Sequence, residues 1–216
     1  LESFRLPGRT PDELVDGIDV PDYHHIADAL AGGKGCILAL PHLGGWEWAG
    51  FWLTTSMGHP TTVVVEMLEP PELFAWFADL RGRFGMNVVP ADANAGAEVA
   101  AALARNDVVC LLSDRDVMGG GVEVDFFGEA TTLPAGPAML GLRTGAPVLP
   151  VGVYFEPDGR HFGWVRPPLD LQRNGKFRAD VVAGTQLLAN ELELLIRRAP
   201  SQWHLLQPNW PSDHER

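Results

Sequence analysis

Short runs of β-branched and aliphatic residues alternate with longer helical patterns, and that alternation restricts the fold more than any other feature of the chain. The runs are CILAL (36–40), TTVVVEM (61–67), NVVP (87–90), VVCLL (108–112), VEVDFF (122–127), APVLPVGVYFE (146–156) and HFGWVRPP (161–168). Helical periodicity fills the intervals at about 22–31, 45–57, 70–84, 95–105, 135–144 and 179–198. Strands separated by helices predict an α/β fold, an αβα sandwich with a mostly parallel central sheet, because a parallel neighbour requires a long crossover that a helix supplies. The early runs are continuously apolar, as central strands covered on both faces should be. Punctuation agrees: Pro70 and Pro71 stand at a helix start that Gly85 closes, and Gly136-Pro137 opens another helix that Gly145 stops. VMGGGVEV (117–124) reads as a glycine-rich turn between strands.

With 46% hydrophobic residues in 216, the chain can bury a substantial core, and residues 1–216 read as one domain without repeat, low-complexity segment or visible boundary. A net charge of −12 argues against a nucleic-acid partner, since neutralising phosphates takes clustered Lys and Arg. RNGKFR (173–178) is a small basic island, either a solvated face or a meeting point for an anionic phosphate. Cys36 and Cys110 each fall inside a predicted strand, where Cys acts as a small buried hydrophobe, and a reduced cytosolic setting is the simpler reading. No apolar stretch approaches the ~20 residues of a membrane-spanning helix. The opening LESFRLPGRT has neither a start Met nor a signal-peptide pattern, so an earlier segment, including any membrane anchor, is expected to be missing.

Chemistry gathers at ILALPHLGGWEWAG (37–50). In open α/β sheets ligands collect at the carboxyl ends of strands, where loops and helix N-termini converge. His42 is placed at such an end. Gly44 and Gly45 allow a tight turn whose amides would suit an oxyanion or phosphate, and Glu47 falls in the first turn of the next helix, within reach of the imidazole. A histidine held by a carboxylate has a fixed tautomer and a more basic free nitrogen, which suits removal of a hydroxyl proton. The same residues also fit a plain helix start, with Glu47 favouring the dipole and His42 bonded to a loop carbonyl. No GxSxG elbow is present, and Ser56 and Ser113 lack its context, so the hydroxyl would come from a substrate.

Other features admit two readings. Asp114 and Asp116 follow an apolar strand, and Asp-x-Asp there could hold a divalent metal and a sugar diphosphate, as in glycosyltransferases. Trp46, Trp48, Phe51 and Trp52, then Phe74, Trp76 and Phe77, suit either core packing or the wall of a lipid groove. GGKG (32–35) lacks the P-loop spacing and no GxGxxG opens a helix. His24, His25, His59, His161, His204 and His214 show no metal-ligand spacing, and no prosthetic group is implied.

PHLGGWEWAG (41–50) resembles the His-x4-acidic motif of the lysophospholipid and glycerolipid acyltransferase superfamily, in particular its lipid A biosynthesis acyltransferase branch. LRGRFGMNVVP, the long block from VVCLLSDRD to VGVYFE, and PSQWHLLQPNW resemble later blocks of that branch in the same order, over roughly residues 36–210. SDRD followed by TTLPAGPA is most similar to the subgroup that palmitoylates a mannose of phosphatidylinositol mannosides. The resemblance implies an O-acyltransferase with acyl-CoA, or else an acyl carrier protein, as donor and a glycolipid as acceptor. It implies His42 as general base and Glu47 as its orienter, with oxyanion donors at Gly44 and Gly45. Glu66 and Arg81 fall where the family has functional residues near the cleft, and the block holding Asp114 and Asp116 belongs to the cleft wall. Outside the resemblance, Arg81 would be a surface partner of Asp79 or Glu72, and Glu66 a strand-end carboxylate facing water. Peripheral membrane contact on the cytoplasmic face of the cell membrane is expected, because acceptor and product are lipids. Relatives carry more than the 41 residues that precede His42 here.

Overall fold

The computed structural model describes residues 5–117 and 119–214, so the first four residues of LESFRLPGRT lie outside it. In chain order the elements are α1 (Pro11–Asp16), β1 (Ile18–Asp19), α2 (His24–Ala31), β2 (Cys36–Leu40), α3 (Trp46–Phe51), β3 (Thr61–Val65), α4 (Pro71–Arg83), β4 (Met86–Pro90), α5 (Ala95–Ala104), β5 (Val108–Leu112), β6 (Val122–Phe126), β7 (Glu129–Leu133), α6 (Gly136–Thr144), β8 (Val148–Phe155), β9 (His161–Val165) and α7 (Phe177–Arg198). Seven strands form one sheet in the order β1-β9-β8-β2-β5-β3-β4. All neighbours run parallel except β8 and β9, which pair antiparallel as a hairpin.

The αβα sandwich follows from how β2 and β5 alternate. Cys36, Leu38 and Leu40 face a core built with α1, α2, α3 and α4, whereas Ile37 and Ala39 face a second core built with α5, α6, α7 and β6–β7. Both strands are therefore apolar at every position, and each large aliphatic side chain so buried contributes roughly 1.5–3 kcal/mol. Cys36 and Cys110 sit in these strands as free thiols, and burial pushes each up to about 12.

Two departures from the sequence reading bear on the site. The run at 122–127 does not enter the main sheet: β6 pairs with β7, unread from sequence, in a separate antiparallel hairpin against α7. The helix predicted over 45–57 ends as α3 at Phe51 and continues as a π-helical turn, Trp52–Ser56. The hydroxyls of Thr54 and Thr55 donate back to the carbonyls of Gly50 and Phe51 at 2.9 and 2.7 Å, a local competition that loosens a helix. α1 and β1 also escape periodicity, being only six and two residues long. Among the described residues no helix is long and apolar enough to cross a membrane.

Candidate active site

β2 and β5 are adjacent, parallel and in register, with Leu40 opposite Leu112. Two residues beyond those partners stand His42 and Asp114, so the sheet itself delivers them side by side. His42 Nδ1 lies 2.7 Å from Asp114 Oδ1, and the His42 backbone N–H donates to Asp114 Oδ2 at 3.0 Å. Trp203 Nε1 donates to the same Oδ2 at 2.7 Å, and Asn209 Nδ2 donates to the Asp114 carbonyl at 3.1 Å. Asp114 is fully buried, while the His42 side chain retains 26% of its exposure.

Burial alone would penalise the Asp114 charge. The His42 ring bond and charge, the Trp203 indole and the His42 amide together outweigh that penalty and hold the carboxyl below the usual carboxylate range. An ionised carboxylate only accepts, so Nδ1 carries the proton and Nε2 is left as the basic nitrogen. That is the arrangement of a general base with its orienter.

The carboxylate bonded to the His42 ring is thus Asp114, seventy-two positions away, where Glu47 was expected. Glu47 Oε1 instead accepts from Arg81 Nη2 at 2.6 Å, and the two are only 7% and 8% exposed. The Arg81 guanidinium also lies over the rings of Phe77 and Trp46, at 5.2 and 5.5 Å. Asp79, its expected surface partner, pairs with Arg83 at 2.7 Å. The Gly44 part of the expected oxyanion turn is corrected as well: its amide donates to the Gln202 carbonyl at 3.0 Å and is already engaged. Gly44 is glycine for steric reasons, since at φ +55° a side chain would run into the Val153 carbonyl. Gly45 follows as the residue before α3, with ordinary negative φ.

Asp114 and Asp116 do not share a ligand space. Both Asp114 oxygens are taken as above, and Asp116 Oδ2 accepts from the Gly121 amide at 2.8 Å, so the two carboxylates serve separate partners. Glu66 Oε2 accepts from Arg115 Nη2 at 2.7 Å. His42, Glu66, Arg81, Arg115 and Asp116 line one cleft of about 520 Å³. A narrower cavity of about 60 Å³, walled by Leu38, Leu40, Phe51, Trp52, Met86 and other apolar side chains, lies between the sheet and α3. Trp46, Val64, Val65, Arg81 and Leu112 line both spaces and mark the neck between them.

A family model for bacterial lipid A biosynthesis acyltransferases matches residues 1–212. This chain belongs to that acyltransferase family. A phosphatidylinositol mannoside acyltransferase of Mycolicibacterium smegmatis is 42% identical over 221 residues, covering 98% of this chain and 68% of the relative. One of the same name from Mycobacterium tuberculosis is 43% identical over 226 residues, covering 98% of this chain and 66% of the relative. The chain spans about two thirds of the length of the curated relatives it matches.

In this acyltransferase the cleft brings together His42, Glu66, Arg81 and Asp116 of the residues expected from sequence, with Asp114 bonded to His42, whereas Trp203, Asn209 and Arg115 had been given no role. A usable signal existed for Asp114: LALPH and CLLSD both place a polar residue two positions beyond an apolar strand. Two parallel strands that pair in register bring those residues together.

Proposed function

We propose that this acyltransferase moves a long fatty acyl chain from a thioester donor to a mannose hydroxyl of a phosphatidylinositol mannoside, with His42 as general base. The observation that carries the mechanism is the His42–Asp114 bond of 2.7 Å at the edge of the cleft. The acceptor is taken from the names of the two relatives; the donor is proposed to be acyl-CoA, palmitoyl-CoA in particular.

His42 Nε2 takes the proton of the acceptor hydroxyl as its oxygen attacks the thioester carbonyl. Asp114 stabilises the imidazolium so formed, since the carboxylate stays ionised beside it. The tetrahedral intermediate then collapses, the C–S bond breaks, and the leaving thiolate takes the proton back from His42. No group on the protein is consumed, and free thiol appears once per ester formed. The acyl chain lies along the apolar wall of the 520 Å³ cleft, formed by Val99, Leu111, Met139 and Leu140, where each buried methylene contributes about 0.8 kcal/mol. Exposed Met67, Leu73 and Trp76, on α4 and the loop before it, supply an apolar rim for peripheral contact with the cytoplasmic face of the membrane.

The test is acceptor-dependent thiol release from palmitoyl-CoA with a mannosylated phosphatidylinositol. Wild type should release thiol only with acceptor, and His42→Ala should not. Release at the wild-type rate by His42→Ala would overturn the base assignment. Release from an acyl carrier protein thioester but not from CoA would move the donor assignment to the carrier. Tight palmitoyl-CoA binding without turnover would reduce the chain to a lipid-binding module.

A further inference from the structure

The loop that carries the base is held from the far end of the chain. Residues 42–44 run against residues 202–204: the His204 amide donates to the His42 carbonyl at 2.7 Å, Leu43 and Trp203 form an antiparallel bridge, and Gly44 donates to Gln202. Gln202 is itself fixed, its side-chain oxygen accepting from the Phe155 amide at 2.7 Å and its nitrogen donating to the Phe155 carbonyl at 3.0 Å. Further along, Asn209 holds the Asp114 carbonyl, and the Asn209 carbonyl accepts from the Thr131 hydroxyl. Trp210 Nε1 donates to the Phe126 carbonyl at 2.9 Å. The segment 202–210 therefore ties β2, β5 and the β6–β7 hairpin together around one pair of side chains.

We propose that Trp203 is a positioning residue for the transfer reaction, acting through Asp114, and that the 202–210 segment is a strap that fixes the His42–Asp114 geometry. The proposal rests on the reading of His42 as base. A carboxylate bonded to an imidazole through one oxygen remains free to swing about its own axis. Here the second oxygen accepts from both the His42 amide and the Trp203 indole, so that freedom is removed. The chemistry of the indole also matters: it donates and never accepts, so it cannot draw the Nδ1 proton away from the pair, as a water or hydroxyl could. Its ring is wedged among Phe127, Trp210 and Phe126, with centroids 5.6, 6.1 and 6.1 Å away, which fixes the direction of the N–H.

Trp203→Phe keeps the ring packing and deletes only the donor. With palmitoyl-CoA and a mannosylated phosphatidylinositol, kcat should fall about 10- to 100-fold, the loss typical of a support behind a reacting group, while KM for both substrates stays unchanged. Asp114 Oδ2 then loses a donor that shares its charge, so more of that charge falls on the His42 ring and the acid limb of the pH–rate profile should move to higher pH. A merely structural tryptophan would lower the folded fraction and leave the limb in place. An unchanged kcat and acid limb, beside an inactive His42→Ala, overturn the Trp203 assignment alone; an active His42→Ala removes the base reading and this one with it. A measurement on the wild-type protein needs no variant to fold. The indole N–H resonance of Trp203 should follow the acid titration of the Asp114 carboxylate it donates to, whereas those of Trp48 and Trp210, which donate to the carbonyls of Leu14 and Phe126, should not. A Trp203 resonance as flat as those two overturns the proposal.

Discussion

Two buried carboxylates meet cationic or cationisable partners at this end of the sheet, and they do different work. Arg81 and Glu47 close on each other at 2.6 Å under aromatic rings, and the guanidinium cannot give up its proton. His42 and Asp114 meet at 2.7 Å, but the imidazole uses only Nδ1 for the bond, which leaves Nε2 for the proton transfer proposed above. The first pair is a permanent charge clamp at the neck of the apolar cavity. The second holds a proton that can move. A buried carboxylate can support proton transfer through its partner only when that partner can take up and release a proton, which an imidazole can and a guanidinium cannot.

Replacing one member of each pair should break them in opposite ways. His42→Ala is expected to lower acceptor-dependent thiol release by ~10²–10⁴, the usual worth of a general base, as read in steady-state assays at saturating substrate. Asp114→Asn should remove a smaller part of that rate and leave KM alone, because the base remains but its imidazolium loses a charged neighbour. Glu47→Ala should act chiefly on stability, costing about 3–5 kcal/mol in urea unfolding, since Arg81 is left buried beside a lost counter-charge. Equal loss of kcat per folded molecule in Glu47→Ala and His42→Ala would erase the distinction between the pairs. A gentler test uses pH. The Asp114 carboxyl is depressed in the fold, so its contribution to stability is full above the ordinary carboxylate value of about 3.9 and is lost as pH falls below it. Asp114→Asn should flatten that acid limb of the stability curve.

The contrast also explains what could be read from the sequence. The layers were legible because β2 and β5 are apolar without interruption, β3 is β-branched throughout, and Gly35, Pro41 and Pro60 mark their ends, a pattern set by local chemistry. β7 was not, since EATTL alternates burial in a separate hairpin and carries no run of large aliphatics. His42 was legible because a single polar residue beyond a strand stands out against its surroundings. Its partner was misassigned because Glu47 is near in sequence and within a helical turn, whereas the Asp114 contact depends on strand order and register, which no local window contains. Trp203 and Asn209 lie further still from ordinary signals: they follow the last long helix in a segment with little regular structure, and only the folded chain brings that segment back to β2 and β5.

A third pair tests whether the comparison extends to the cleft wall. Glu66 and Arg115 bond at 2.7 Å, yet the Glu66 side chain is 43% exposed, so water screens the attraction and the pair should contribute less than about 1 kcal/mol. Glu66→Gln keeps the shape and removes the charge, and unfolding should show almost no change. Arg115 would then be freer on the cleft wall, so the effect should fall on acceptor KM, by less than about tenfold, with kcat preserved. A kcat loss on the scale of His42→Ala would place this exposed pair among the reacting groups, and burial would no longer separate the clamp from the catalytic machinery.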